Sequence, residues 1–324
     1  MTSEHRPGQE RFVAPLEETP LKAVDSVDTS SPPTSMWSDA WRSLRRNPLF
    51  LVSAALILFL ILVVAFPSLF TDENPRRCLL SENSLGAPRA GHPFGFDQQG
   101  CDVFARVVYG ARASVTVGIL TTLFVVVIGG ILGALAGFYG GLLDAILSRV
   151  TDVFFAIPLV LAAIVGLQML KNIRGDSPGF VLSVLPVILA LAAFGWPQVM
   201  RIMRGAVLTV KNMEYIDAAT SIGATRRRNL VRHVVPNALA PVIVVATVSL
   251  GIFIVAESTL SYLGLGLPSR VMSWGNDIAQ AQNVVGTAPR VLFYPASALA
   301  LTVLSFILLG DAVRDALDPK AKKR

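Results

Sequence analysis

A chain of 324 residues with 53% apolar side chains, only 15% charged ones and a mean hydropathy of +0.59 carries too few charges to cover a soluble globule. It reads as an integral membrane protein. The net charge of +6 does not indicate nucleic acid, because the cations flank apolar runs instead of forming an aromatic-studded stripe.

Residues 1–34 are polar and rich in Pro, Ser, Thr and Glu without apolar periodicity, so they are predicted to be a disordered tail. In 35–47, Met36, Trp37, Trp41 and Leu44 recur at helical spacing opposite Asp39, Arg42 and Arg45, with Ser35 as a cap. This pattern predicts an interfacial helix, either a headgroup anchor or a moving gate element. Six later stretches are long enough to cross a bilayer: 49–66, 114–143, 153–170, 180–200, 234–256 and 291–310. The first, within a span at 48–67, lacks a small-residue cleavage site and is expected to be an uncleaved anchor. A loop at 68–113 follows, then a core at 114–320 and a basic tail at 321–324. The second stretch is too long for one span, and Gly137-Phe138-Tyr139-Gly140-Gly141 is expected to turn at the surface. Pro158, Pro186 and Pro197 lie within spans, where they either kink the helix or are tolerated. Gly129, Gly130, Gly133 and Gly137 give small-residue faces that suit a helix of a partner or of this chain.

Six spans put both termini on one side. Grouping residues 1–47, Arg149, 201–235 and 312–324 places 19 of the 28 Lys and Arg together and leaves 9 opposite. The positive-inside bias then predicts cytoplasmic termini. The six apolar cores contain no Asp, Glu, Lys or Arg, which argues against a proton relay or voltage sensor. No Gly-Lys dipeptide occurs, so the phosphate loop of a nucleotide hydrolase is missing. With three His, no Cys/His pattern at metal-ligand spacing and no Gly-x-Ser-x-Gly elbow, neither an enzyme nor a metal site is indicated.

The polar insert at 214–241 interrupts this apolar pattern, with Arg201, Arg204, Lys211, Arg226, Arg227, Arg228 and Arg232 around it. Asn212 is predicted to cap a short helix, with Glu214 and Asp217 in its first turns and Gly223 ending it in the left-handed conformation. Met213, Ile216 and Thr220 share a face, while Ala218 and Ala219 leave room for a partner surface. Thr225 is predicted to cap a second helix running to Pro236. His233 reads as a locally packed residue.

Asp217-Ala218-Ala219, Gly223 and His233-Val234-Val235-Pro236 resemble the EAA loop of ABC importer permeases. Glu214-Tyr215 before and Pro236-Asn237-Ala238-Leu239-Ala240-Pro241 after it resemble the dipeptide, oligopeptide and nickel branch. The same branch is similar at 92–106, including Gly95, Asp97, Gly100, Asp102 and Arg106, at Tyr109-Gly110-Ala111-Arg112, at 257–266, at Ser273-Trp274-Gly275-Asn276 and at 314–319. The resemblance implies an all-α integral membrane protein of six transmembrane helices with a cytoplasmic coupling helix, the transmembrane domain of a type I ABC importer. It implies a C-type permease in a bacterial plasma membrane, paired with a homologous second permease, two ATPase subunits or a fused one, and an external binding protein. Glu214, Tyr215, Asp217, Ala218, Ala219, Gly223 and Ala224 would dock the ATPase, with ATP and Mg bound there and no cofactor on this chain. Dipeptides or oligopeptides are the implied cargo, with nickel chelates, haem-like compounds or glutathione-sized peptides as alternatives. An autonomous secondary transporter or channel is the competing reading.

Three features stand beside the resemblance. The family usually has Thr where Phe96 stands and Arg where Cys101 stands, and its EAA triplet opens with Glu where Asp217 stands. The only two cysteines, Cys78 and Cys101, fall in the external loop, where a disulfide is expected, free thiols being the alternative. Glu257 is placed at the external end of the fifth span, where water would reach it, in a structural, gate or pathway role.

Overall fold

The computed structural model describes residues 36–174 and 179–317. The predicted tail, Ser35 and the basic carboxy-terminal tail lie outside the described residues. Within them the backbone is helical apart from turns and two isolated β-bridges.

Helix α1, Met36–Leu44, leads into α2, Pro48–Ala65. Asn47 starts α2 by accepting a hydrogen bond from the Leu49 amide at 2.9 Å, and Pro48 supplies a preset first helical turn. Leu51, Val52, Leu58, Phe59 and Ile61 are exposed on α2, as suits a helix with lipid on most sides. After the short α3, Leu80–Asn83, helix α4 spans Val103–Tyr139. It therefore begins well before residue 114, where composition placed the span. Asp102 caps it by accepting from the Ala105 amide at 2.6 Å, so the turns carrying Arg106 and Arg112 are helical and not loop. It ends where Gly140 and Gly141 take positive φ.

The third apolar stretch is not one straight span. Helix α5, Gly141–Phe155, and α6, Leu159–Arg174, meet at a 92° bend. Pro158 lacks an amide donor and disfavours helix in the residue before it, which breaks the chain there. Asp144 and Asp152 on α5 then face α7, Phe180–Lys211, where Arg204 binds Asp144 and Arg201 binds Asp152 at 3.1 Å. Helix α7 runs on through both Pro186 and Pro197.

Helix α8, Glu214–Ser221, precedes α9, Arg226–Asn229. A π-helical turn, Leu230–Val234, carries α9 into α10, Val235–Tyr262. The helix capped by Thr225 thus does not stop at Pro236; Arg226–Tyr262 is one 37-residue run. Helix α11, Trp274–Ala281, and α12, Pro289–Leu317, complete the described residues. Among the described residues, five helices are long and apolar enough to cross a membrane, or six if the bent α5–α6 pair counts as one span.

The centre of the bundle is the seam between α4 and α7. A Cβ on Gly129, Gly133 or Gly137 would come under 3.0 Å from the backbone of Trp196, Met200 or Arg204 respectively. The two sets of residues share a four-residue spacing, so one face of small residues lies along one ridge of backbone carbonyls. Gly130 faces open space. The small-residue face that the sequence offered to either a partner or this chain is used within the chain at Gly129, Gly133 and Gly137. Lys211 fastens the end of the seam by donating to the Gly137 carbonyl at 2.7 Å.

Candidate functional site

Two regions carry the residues singled out in the sequence, at opposite ends of the bundle. At the end where α4 finishes, α8 begins without the expected Asn212 cap: Met213 occupies the N-cap position and makes no side-chain capping bond. Glu214 and Asp217 stand in the first turn, where the helix dipole favours negative charge. The other end is a Schellman closure. Ala224 N–H donates to the Ala219 carbonyl, and Gly223 N–H to Thr220, both at 3.0 Å, with Gly223 at φ +92°.

Ile216 is buried and anchors α8, and Asn229 donates to the Thr220 hydroxyl at 2.9 Å, joining α8 to α9. Met213 is exposed, so it does not share the buried side of Ile216. The outward side presents Glu214, Asp217 and Ala218 with Tyr215, 41% exposed, and Ile222 at 88%. The basic surroundings differ from those read in the sequence. Arg201, Arg204 and Lys211 belong to α7 and are engaged by Asp152, Asp144 and the Gly137 carbonyl, Arg201 on the exposed side and the other two partly buried. Arg226, Arg227, Arg228 and Arg232 are exposed beside α8.

At the opposite end, residues 66–102 fold over the helices. Cys78 and Cys101 are joined by a disulfide across 23 residues. Leu79 N–H donates to the Gly100 carbonyl at 3.2 Å beside it. Gly100 has φ +74°, and a Cβ there would strike Leu79. Gly95, at φ +72°, is equally confined by Gly86 and Pro88. Phe96 is buried, with the Arg89 guanidinium 4.7 Å and the His92 ring 4.6 Å from its centre. Two of the three departures from the family pattern, Phe96 and Cys101, thus serve the inside of this loop. Asp97 turns the chain by accepting from Gln99 and Cys101 amides at 2.8 and 2.9 Å, while Asp102 holds His92 as well as capping α4.

Arg106 ties this cap to the rest. Its guanidinium bonds Asp277 of α11, with Nε 2.9 Å from Oδ1, and lies 3.6 Å from Asp97. Burial pushes the Asp277 carboxyl up from its ordinary value, and Arg106 pulls it back. Asp277 escaped the sequence reading; its position one residue beyond the Ser273-Trp274-Gly275-Asn276 motif was the available signal. We predict that Asp277→Asn, which strands Arg106 between Asp97 and a neutral group, destabilises the protein by about 2–5 kcal/mol. Thermal unfolding in detergent, with and without a compensating Arg106→Gln, measures it. Arg290, also missed, donates to the Leu85 and Gly86 carbonyls at 2.7 and 2.9 Å and ties the cap to α12.

Glu257 is fully buried, which corrects the expectation that water reaches it at a helix end. Ser261 and Ser258 hydroxyls donate to it at 2.8 and 3.3 Å. The reason is the close approach of α11, where a Cβ on Gly275 would lie 2.7 Å from Ser258 Cα. Among the described residues, no group of three His, Cys, Asp or Glu is placed to hold a metal ion.

A charge-poor helical bundle with a polar helix displayed at one end and a folded cap at the other defines a multi-pass membrane transport subunit. Its fold is that of the MetNI methionine ABC transporter in its inward-facing conformation, matched with a TM-score of 0.53 and 21% identity over 66% of this chain and 96% of that one. Residues 129–323 match the family model of the binding-protein-dependent transport system inner membrane component, and residues 35–84 match that of the N-terminal TM domain of oligopeptide transport permease C. The chain belongs to this permease family. It is 35% identical to the oligopeptide transport system permease protein OppC of Bacillus subtilis (strain 168), over 95% of this chain and 97% of that protein. It is 36% identical to the dipeptide transport system permease protein DppC of the same organism, over 99% and 98%. The glutathione transport system permease protein GsiD of Escherichia coli O157:H7 is 35% identical over 96% and 98%.

Proposed function

We propose that this chain is the translocation subunit of an ATP-driven importer of dipeptides or oligopeptides. It forms the pathway with a homologous second permease and receives work from two ATP-binding subunits, or a fused one, through residues 214–236. An external binding protein delivers the cargo. ATP and Mg bind the ATPase partners, since this chain has no phosphate loop. Both termini and α8 face the cytoplasm, in keeping with the positive-inside bias, and the 66–102 cap faces outward.

The observation that carries this reading is α8. It is fixed to the bundle on one side by Ile216 and the Thr220–Asn229 bond, and open on the other at Tyr215, Ala218 and Ile222. A push on such a helix reaches α9 across the Gly223 turn and the Thr220–Asn229 bond, and from α9 it runs into α10 along one continuous helical run, Arg226–Tyr262. Reconstitution of the chain with its second permease, ATPase and binding protein in proteoliposomes tests the proposal. Uptake of a radiolabelled tripeptide is expected to require all four parts and ATP inside a right-side-out assay. Uptake by this chain alone would instead favour an autonomous transporter.

A further inference from the structure

We propose that the outward mouth of this subunit holds a carboxylate-binding vestibule, centred on Arg112, that receives the terminal carboxylate of the cargo. The proposal rests on the import reading above and adds the chemical group recognised. A cavity of about 820 Å³ opens where the 66–102 cap, α4, the start of α7 and the loop before α11 converge. That volume lies within the range of small-ligand pockets. Arg76, Arg106, Arg112 and Arg270 line it with Tyr109 and Phe180, and no Asp or Glu is among its lining residues.

Of these four cations, Arg106 is already compensated by Asp277 and Asp97. Arg112 makes no ion pair among the described residues; its guanidinium stands 5.7 Å from the Phe180 ring centre. It projects, exposed, from the third turn of α4, just before the apolar core of that helix begins at Ser114. Arg76 approaches from the disulfide-bonded cap, so two independently anchored segments bring positive charge to one space. The ligand that satisfies planar guanidinium forks beside two aromatic rings is a carboxylate on a small organic body, with the rings available to its backbone or side chains. Every peptide cargo carries that group at its carboxy terminus, whatever its side chains. A vestibule reading this feature would accept varied peptides, leaving finer selection to the binding protein.

Two measurements test this on the assembled complex. In the first, the wild-type complex in nanodiscs, without binding protein, is labelled with phenylglyoxal in the presence of N-acetyl-dialanine or its carboxy-terminal amide, and arginine modification is mapped by mass spectrometry. The free acid is expected to lower labelling of Arg112 several-fold, and the amide is not. Equal labelling with both compounds overturns the proposal. In the second, binding protein saturated with trialanine or trialanine amide feeds proteoliposomes carrying wild type, Arg112→Gln or Arg76→Gln. The ratio of acid to amide uptake is expected to fall about tenfold in the variants, the loss of one charge-assisted contact. An equal loss with both peptides overturns the proposal and assigns these arginines to docking of the binding protein. If the wild-type complex imports neither peptide, the import reading fails, while the labelling result still decides for or against carboxylate binding.

Discussion

Ala218→Trp in the assembled transporter is expected to lower ATP-driven uptake about 30- to 100-fold while leaving the purified yield of the permease pair close to wild type. Ala218 is exposed on the outward side of α8 and supports nothing within the chain, so a large ring there has no folding contact to break. Under the proposed coupling role, what it alters is the approach of the ATPase partner. Misfit at the centre of a docking surface costs roughly 2–3 kcal/mol, which converts to that loss. Gly223→Val attacks the same surface from within: a β-branched residue held at φ +92° is strained by about 1–3 kcal/mol, enough to unravel the Schellman closure and reorient Ile222. Both variants are read by uptake beside basal ATPase activity of the complex. Uncoupled ATPase activity with lost uptake supports the role of α8 in transmission; normal uptake in both variants sinks it.

The second large effect is expected in the α4–α7 seam. Gly133→Ala places a Cβ under 3.0 Å from the Met200 carbonyl and 2.9 Å from Met203 Cβ, and neither is the free end of a flexible side chain. The helices must separate along their whole contact, at about 1–3 kcal/mol of overpacking, offset only in part by about 1 kcal/mol of helix propensity. Gly133→Leu should prevent assembly altogether. Gly130→Ala, one residue away but facing open space, is expected to be neutral or to raise stability by up to about 1 kcal/mol. Thermal unfolding of the three purified variants separates a seam defect from a general intolerance of the helix; equal destabilisation by Gly130→Ala and Gly133→Ala would contradict the seam.

The contrast between Gly130 and Gly133 also shows what pattern reading reaches. Small residues at four-residue spacing are visible in the chain, but their partner is chosen by the register of α4 against α7, which no local pattern carries. The same limit explains the misplaced start of α4. Residues 103–113 are too polar to be counted as span, yet Asp102 caps them and they pack beside α11, so Arg106 and Arg112 are helical. Asn212 failed as a cap because the chain needs an extended residue before α8, and Met213, with ψ of 142°, takes that place. Glu257 looked wet because helix ends usually are; Gly275 lets α11 close over it.

Composition and apolar run length determined by themselves that this chain lives in a membrane and where its polar insert interrupts the spans. These are sums over neighbouring residues, and water and lipid act on such sums directly. The tertiary structure alone decided that Arg106 meets Asp277 across 171 residues, that the face of Gly129, Gly133 and Gly137 is spent inside the chain against α7, and that α11 closes over Glu257. Each of these depends on which surfaces come together after the helices form, and that choice rests on shape and charge between segments far apart in the chain.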